Sequence, residues 1–236
     1  MNTDLLVERL VELLIAGDRA QARQLVEQEA TPNLEPEDLI IDLFWPTYEI
    51  LQKFERADQL TRLAGRMATR LLRVLVDRAS VSLLNQPRLS TNKRVFAVCG
   101  DAEGEELGAQ MAIDLLEARG YEVQFAGGGV PYDEILNHVQ TTKPDAFLAF
   151  CAVPQDLPEI RRAIDTLNEI NALPDLQIIV GGGVFNRAEG LAEEIGADLW
   201  ASDPLDLVEE MTHNAGRRAT ADQRTVGRTR AGRLAA

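Results

Sequence analysis

The chain has 236 residues, of which 45% are hydrophobic and 26% charged, and its formal net charge is −14. This length suits two domains, each large enough for a core of its own. No apolar run approaches the roughly 20 residues of a membrane-spanning helix, and the N-terminus lacks a signal-peptide pattern, so we expect a cytoplasmic protein without membrane contact.

The first 85 residues show the apolar spacing of a four-helix bundle. The predicted helices begin near Leu5, Arg19, Glu37 and Leu60. Gly17 breaks the first of them. In the last helix, which runs to Leu84, Leu63, Met67 and Leu71 are spaced for burial.

A strand, an acidic turn and a helix follow a linker in the middle of the chain. Residues 94–99 are apolar and rich in β-formers, residues 100–104 form a turn cluster, and residues 106–119 have helical apolar spacing. Gly120 supplies a helix stop before a second strand at 121–126. This order is that of a ligand-binding α/β unit.

The rest of the chain continues the alternation of strands and helices. Further strands are predicted at 146–150, 176–180 and 198–201, and further helices at 188–195 and 204–213. The pattern predicts a flavodoxin-like, or Rossmann-like, α/β domain with a five-stranded parallel sheet. The predicted organisation is a four-helix bundle at 1–85, the sheet domain at 93–214 and a basic, disordered tail at 215–236.

The segment after the first strand resembles a vitamin B12-binding domain that follows a four-helix cap, as in corrinoid carriers and B12-type photoreceptors. That family has a D-x-H-x-x-G motif here, and its histidine bonds the cobalt from below. Alignment on Gly108 puts Glu105 at the histidine, whereas alignment on Asp101 puts Glu103 there. The resemblance implies a B12-binding scaffold that has lost its cobalt-ligating histidine.

Two further motifs of the family shape the slot for the nucleotide tail of the cofactor. In the family, an S-x-L motif follows the third strand and a G-G pair follows the fourth. This chain has Cys-Ala-Val at 151–153 in place of S-x-L, and its G-G pair is complete. The residues implied at this edge are Cys151, Val153, Gly181, Gly182 and Gly183, together with Gly128 after the second strand. These glycines either let backbone approach a ligand closely or form tight turns.

The helical domain carries a third altered motif of the family. Photoreceptor members have W-x9-E-H above the cobalt, and here Phe54 lies near the tryptophan position, Gly65 at the glutamate and Arg66 at the histidine. The resemblance therefore implies an upper face that has also lost its histidine.

We expect a non-enzymatic tetrapyrrole-binding sensor or photoreceptor-like regulator, with its ligand held between the two domains. The candidate ligands are biliverdin, a linear tetrapyrrole, and cobalamin bound without histidine. Glu103 or Glu105 would accept hydrogen bonds from pyrrole N–H groups, and Arg66 would pair with a propionate. The alternatives are a corrinoid carrier for methyl transfer and a ligand-free protein-interaction module.

The acidic cluster at the start of the central helix has two explanations. Carboxylates are favoured at the positive amino end of a helix, by about 0.3–1 kcal/mol each. Four of them, Asp101, Glu103, Glu105 and Glu106, exceed what capping requires and indicate a ligand contact. Both explanations stay open on the sequence alone.

Motifs of nucleotide hydrolases, serine hydrolases and zinc proteases do not occur in the sequence. The two histidines, His138 and His213, lie on separate late helices, so neither an enzyme nor a metal site is expected. Cys99 and Cys151 end different strands and are expected to be reduced thiols. Non-covalent binding of a bilin is expected, because the carboxylates near Cys99 oppose formation of its thiolate. If a bond forms, Cys151 is the expected site, since it replaces the serine of the family motif.

The C-terminal segment differs in charge from the rest of the chain. From Gly216 onward it has six arginines and one aspartate. It is either a docking arm for nucleic acid, an acidic partner or a regulatory protein, or a solvated tail that folds back loosely on the acidic body. The sequence leaves a homo-oligomer open.

Overall fold

The computed structural model describes residues 2–170 and 173–220. The chain divides into two compact units, Met1–Thr91 with Ala102–Tyr121, and Asn92–Asp101 with Glu122–Ala236. The predicted domain limits, 1–85 and 93–214, follow the chain order. The compact units do not follow it, because the helix after the first strand packs with the helices that precede it.

The first unit is entirely helical in its regular structure. Its helices are α1 (Thr3–Ala16), α2 (Arg19–Leu25), α3 (Pro36–Asp38), α4 (Trp45–Arg56), α5 (Arg62–Leu84) and α6 (Glu103–Ala118), and π-helical turns span Val26–Ala30 and Leu39–Phe44. Side chains cap three of these helices: Asn2 accepts from the Asp4 amide, Asp18 from the Gln21 amide, and Thr61 from the Ala64 amide. Each start therefore has a local cause in the sequence.

Burial in the helices agrees only partly with the apolar pattern. Leu71 is 3% exposed, as predicted, but Leu63 is 69% and Met67 39% exposed. The prediction for these two was wrong because Ala68 and Leu72, each five residues further on, point roughly 140° away around the helix and are buried. The inner face of α5 consists of smaller residues than the pattern suggested.

Helix α6 begins earlier than the sequence indicated. It starts at Glu103, so Gly104 and Glu105 are helical and not part of a turn. Arg73 of α5 fixes this end, since its guanidinium donates to the Glu103 carbonyl at 3.3 Å and to the Glu106 carboxylate at 3.2 Å. The acidic first turn of α6 is thus compensated by a cation of α5.

The middle of α6 lies against α4 through a glycine. A Cβ atom at Gly108 would be 2.6 Å from the hydroxyl oxygen of Tyr48 and 2.8 Å from its Cζ. Any side chain at Gly108 would displace the Tyr48 ring. Tyr48 itself is 9% exposed, so the contact belongs to the interior of this unit.

The second unit contains the parallel sheet that the sequence predicted. Its strands are β1 (Arg94–Val98), β2 (Glu122–Phe125), β3 (Ala146–Phe150), β4 (Gln177–Gly181) and β5 (Leu199–Ala201). Their order is β2-β1-β3-β4-β5, and every neighbouring pair is parallel. The accompanying helices are α7 (Tyr132–Thr142), α8 (Leu157–Ile170), α9 (Gly183–Arg187), α10 (Leu191–Glu194) and α11 (Pro204–His213).

Residues just after α11 contact the amino end of β4. The Gln177 side chain donates to the carbonyls of Asn214 and Arg217, at 3.0 and 3.2 Å, and Arg218 donates to the Asp175 carbonyl at 2.6 Å. The remainder of the predicted tail, 221–236, lies outside the described residues. Among the residues described, no helix has the length and apolar content needed to cross a bilayer.

Asp114 of α6 is a carboxylate buried within the helical unit. It is 6% exposed and accepts a hydrogen bond from the Ser80 hydroxyl of α5. Burial is the main cause that raises the pKa of Asp114 from 3.8 to about 6; the Ser80 hydrogen bond lowers it, and Glu117 and Asp77 raise it. The folded state therefore favours the neutral acid.

This raised pKa predicts a pH-dependent stability. The contribution of neutral Asp114 is fully present below pH 3.8 and is lost as the pH rises through about 6. The difference between a pKa of 3.8 and one of about 6 corresponds to roughly 3 kcal/mol in the free energy of unfolding. In urea denaturation, the unfolding free energy of the native chain should fall by about 2–3 kcal/mol between pH 4 and pH 7. The variant Asp114→Asn should not show this fall. The exposed Asp133→Asn should keep the fall, and identical profiles for native chain and Asp114→Asn would contradict the assignment.

The contact between Gly108 and Tyr48 predicts that a side chain at Gly108 destabilises the protein and that a smaller residue at Tyr48 partly relieves this loss. Gly108→Ala should reduce the unfolding free energy by about 1–3 kcal/mol, because the Tyr48 ring must move. Adding Tyr48→Ala should make the double variant more stable than the sum of the two single effects. Gly216→Ala is the matched control, since nothing lies within 4 Å of that position. Strict additivity in the double variant would show that the two residues do not interact.

Candidate cofactor site

The carboxyl ends of the five strands lie at one edge of the sheet, where open parallel sheets bind their ligands. A cavity of about 410 Å³ opens at this edge beside β1 and β3. Its polar lining includes Asp101, Tyr132, Asp156 and Glu159. These two strands are neighbours although the chain passes through β2 between them, so their loops diverge and leave a crevice.

The structure brings two of the predicted residues, Asp101 and Gly128, into contact beside this cavity. A Cβ atom at Gly128 would clash with the Gly100 carbonyl and lie 2.8 Å from the Asp101 Cα. Gly129 has a φ of 70°, and a Cβ there would lie 2.9 Å from an Asp101 carboxylate oxygen. The protein's own backbone therefore accounts for these glycines, in agreement with the tight-turn explanation.

A second predicted group forms around the loop that follows β3. Gly182 has a φ of 101°, and a Cβ there would lie 2.5 Å from the Cys151 carbonyl oxygen. The Cys151 amide donates to the Gly181 carbonyl at 2.9 Å, and its thiol donates to the Val153 carbonyl at 3.2 Å. Cys151 is fully buried, so its sulfur is shielded from a ligand at the edge.

The loop after β4 continues this group through an arginine. A Cβ atom at Gly183 would lie 2.5 Å from a guanidinium nitrogen of Arg187. The same guanidinium donates to the Ala152 carbonyl at 2.6 Å. Sequence reasoning missed Arg187, since nothing in its spacing indicates that α9 turns it back onto the β3 loop.

The predicted acidic cluster does not stay together. Asp101 belongs to the sheet unit, whereas the three glutamates lie in the first turn of α6. Arg70 pairs with Glu103 at 3.4 Å, and Arg73 pairs with Glu106 at 3.2 Å. Glu105 is 4% exposed. Two of the four carboxylates are therefore neutralised by α5.

The predicted upper-face residues lie on the hairpin of α4 and α5. Phe54 is half-buried near the end of α4, and Arg66 is exposed on α5. A Cβ atom at Gly65 would be 3.5 Å from a carboxylate oxygen of Glu55. Arg66 forms no hydrogen bond or ion pair with another described residue.

The histidines and cysteines have structural surroundings. The His138 ring lies 4.3 Å from the Phe96 ring and its Nε2 is 3.0 Å from the Gln124 side-chain oxygen, while His213 is exposed. Cys99 and Cys151 are both buried and form no disulfide. Over the described ranges, no cluster of His, Cys, Asp and Glu has the arrangement of a metal site.

Known proteins resemble both parts of the chain. A dimethylamine corrinoid protein of Methanosarcina barkeri is 25% identical over 214 residues, which cover 88% of this chain and 96% of that protein. Dimethylamine corrinoid protein 1 of Methanosarcina acetivorans is 25% identical over 121 residues, or 50% of this chain and 56% of that protein. A corrinoid protein of Desulfitobacterium hafniense is 28% identical over 114 residues, or 48% and 52%.

The chain thus spans about half the length of the last two relatives. The solved structure of the Methanosarcina barkeri monomethylamine corrinoid protein matches the fold with a TM-score of 0.74 at 14% identity, covering 87% of this chain and 96% of that chain. Residues 93–209 match the family model of the B12 binding domain. Through these residues, which contain the sheet and its glycine turns, the chain belongs to the B12 binding domain family.

Proposed function

We propose that this protein is a corrinoid carrier that serves methyl transfer and is not itself an enzyme. The observation that carries the proposal is the similarity to a corrinoid protein over 88% of this chain and 96% of that protein, which includes the helical part as well as the sheet. A carrier has to receive a methyl group and pass it on. Its partners would therefore be methyltransferases.

The carboxyl edge of the sheet offers room for part of a ligand. A cavity of about 410 Å³ opens there beside β1 and β3. When bound, a corrinoid supplies a cobalt that accepts and releases a methyl group. Asp101 and Gly128 on one side and Val153 and Gly182 on the other are the residues we expect to border it.

The position below the cobalt departs from the family pattern. Both alignments give a glutamate there, and Arg70 already engages Glu103. We therefore adopt the alignment on Gly108, which assigns the position to Glu105. The proposed carrier would hold its corrinoid without a protein imidazole.

The sensor hypothesis with a linear tetrapyrrole is a second candidate. The relatives cited above are all named as corrinoid proteins, which gives it no support. One observation favours it: Asp101, Asp156 and Glu159 line the crevice, and carboxylates accept hydrogen bonds from pyrrole N–H groups. An absorption spectrum after incubation with biliverdin or aquocobalamin separates the two candidates, because bilins and corrinoids absorb differently.

The corrinoid proposal predicts how an added imidazole will act. The purified chain should bind aquocobinamide, a corrinoid without its own base, and Glu105→His should bind it about tenfold more tightly, a gain of roughly 1.4 kcal/mol. After reduction to cobalt(II), electron paramagnetic resonance should show nitrogen hyperfine splitting in Glu105→His and none in the native chain.

The matched control is Glu103→His, which should show no such splitting. Splitting in Glu103→His alone would select the alignment on Asp101. Failure of the native chain to bind either aquocobinamide or cobalamin would contradict the carrier function.

The burial of Cys151 predicts that no thioether bond forms with a bilin. Its sulfur is fully buried and donates to the Val153 carbonyl, so attack on a bound tetrapyrrole is hindered. After incubation with biliverdin, denaturing electrophoresis with zinc should show no fluorescent protein band. A band that disappears in Cys151→Ala and persists in Cys99→Ala would contradict this expectation and identify the sulfur.

A further inference from the structure

Helix α6 begins without a side-chain cap. The residue at its N-cap position is Ala102, whose side chain has no oxygen that could accept from the first amides of the helix. The first turn also contains Gly104, and a glycine within a helix costs roughly 0.5–1 kcal/mol relative to alanine. The start of α6 therefore needs contacts from other helices to be held in place.

Arg73 of α5 makes three hydrogen bonds to the amino-terminal half of α6. One terminal nitrogen of its guanidinium donates to the side-chain oxygen of Gln110 at 3.1 Å. The other donates to the Glu103 carbonyl at 3.3 Å and to the Glu106 carboxylate at 3.2 Å. Because the N–H groups of a guanidinium point in fixed directions within one plane, these three acceptors are held in one relative geometry.

The neighbouring Arg70 makes a different kind of contact with the same turn. Its Nε lies 3.4 Å from the Glu103 carboxylate, and its side chain is 72% exposed, against 25% for Arg73. An exposed ion pair contributes only about 0–1 kcal/mol. Of these two arginines, Arg73 is the one that binds the α6 backbone. The pair therefore separates compensation of charge from fixation of the helix.

The contacts of the first turn enclose Glu105 in the sequence. A Cβ atom at Gly104 would be 2.7 Å from Nε2 of Gln52 in α4, so α4 touches the turn just before Glu105. Arg73 holds the turn at Glu106, just after it. Helix geometry places Glu105 about 100° from Glu106 around the axis of α6. The direction in which Glu105 leaves the helix is thus tied to the contacts of Arg73.

We infer that Arg73 is a positioning residue, whose guanidinium holds the first turn of α6 and with it the backbone from which Glu105 projects. The inference rests on the proposed function, in which Glu105 occupies the position below the cobalt. All the groups that carry it belong to the helical unit. It requires no contact between Arg73 and the ligand.

Hydrogen exchange, measured by NMR on the full chain, tests the positioning without a ligand. In Arg73→Gln, the amides of Glu106 and Leu107 should exchange at least tenfold faster than in the native chain, because the first turn opens more often. The amides of Leu115 and Leu116, in the last turns of α6, should change less than twofold. A general loss of stability would instead accelerate exchange at both ends of the helix.

Arg70→Gln is the matched control for this measurement. It removes the same charge from α5 and an ion pair with the same turn, but it leaves the three hydrogen bonds of Arg73 in place. Exchange at Glu106 should change less than twofold. Arg73→Lys is the second variant, since it keeps the charge and replaces the planar fork by a single ammonium group. Exchange at Glu106 should stay at least threefold faster than in the native chain.

Binding of aquocobinamide relates the turn to the proposed site. Adding Arg73→Gln to Glu105→His should abolish both the nitrogen hyperfine splitting and the tenfold gain in affinity, whereas adding Arg70→Gln should preserve both. The spectra are recorded with saturating aquocobinamide at temperatures where each variant is folded. Loss of splitting then reports the direction of the side chain at position 105 and not the amount of folded protein.

Several results would overturn the inference and leave the carrier function intact. They are unchanged exchange at Glu106 in Arg73→Gln, an equal acceleration in Arg70→Gln, native protection in Arg73→Lys, and splitting that is absent from Glu105→His itself or persists after Arg73→Gln is added. Failure of the native chain to bind aquocobinamide or cobalamin would overturn the carrier function instead. The two failures are therefore distinguishable.

Discussion

The absence of a side chain at Gly108 lets α4 lie directly against α6, because Tyr48 occupies the space that a Cβ atom would need. Helix α5 meets the same helix through Arg73 at its first turn and through Ser80 at Asp114. Gly108 thus has a packing role within the helical unit, independent of any ligand. The contact also explains why α6 groups with the helices that precede β1 in sequence.

The acidic residues of α6 differ in their surroundings along the helix. Asp114 is buried, which raises its pKa, whereas Glu103 and Glu106 form ion pairs with arginines of α5. Further towards the amino end of α5, Arg62 and Arg66 form no ion pair with any residue that the structure describes.

The sheet unit reaches its ligand edge by different means. Backbone contacts require glycine in its turns, since Gly128 lies against Gly100 and Gly182 lies against Cys151. These contacts form the edge without a ligand. The shape of these turns therefore depends on backbone contacts within the protein.

The sequence by itself determined the strand and helix pattern, the parallel sheet and the positions of its glycine turns, because alternation of strands with helices and turn chemistry are local properties of the chain. It did not determine that α6 starts at Glu103, that Leu63 and Met67 face outward, or that Arg70 and Arg73 neutralise part of the acidic cluster. Those features depend on which helix packs against which. Asp156 and Glu159, which follow β3, line the crevice with residues that follow β1 because β1 and β3 are neighbours in the sheet. Only tertiary structure decides such contacts, since the residues involved are far apart in the chain and no local signal connects them.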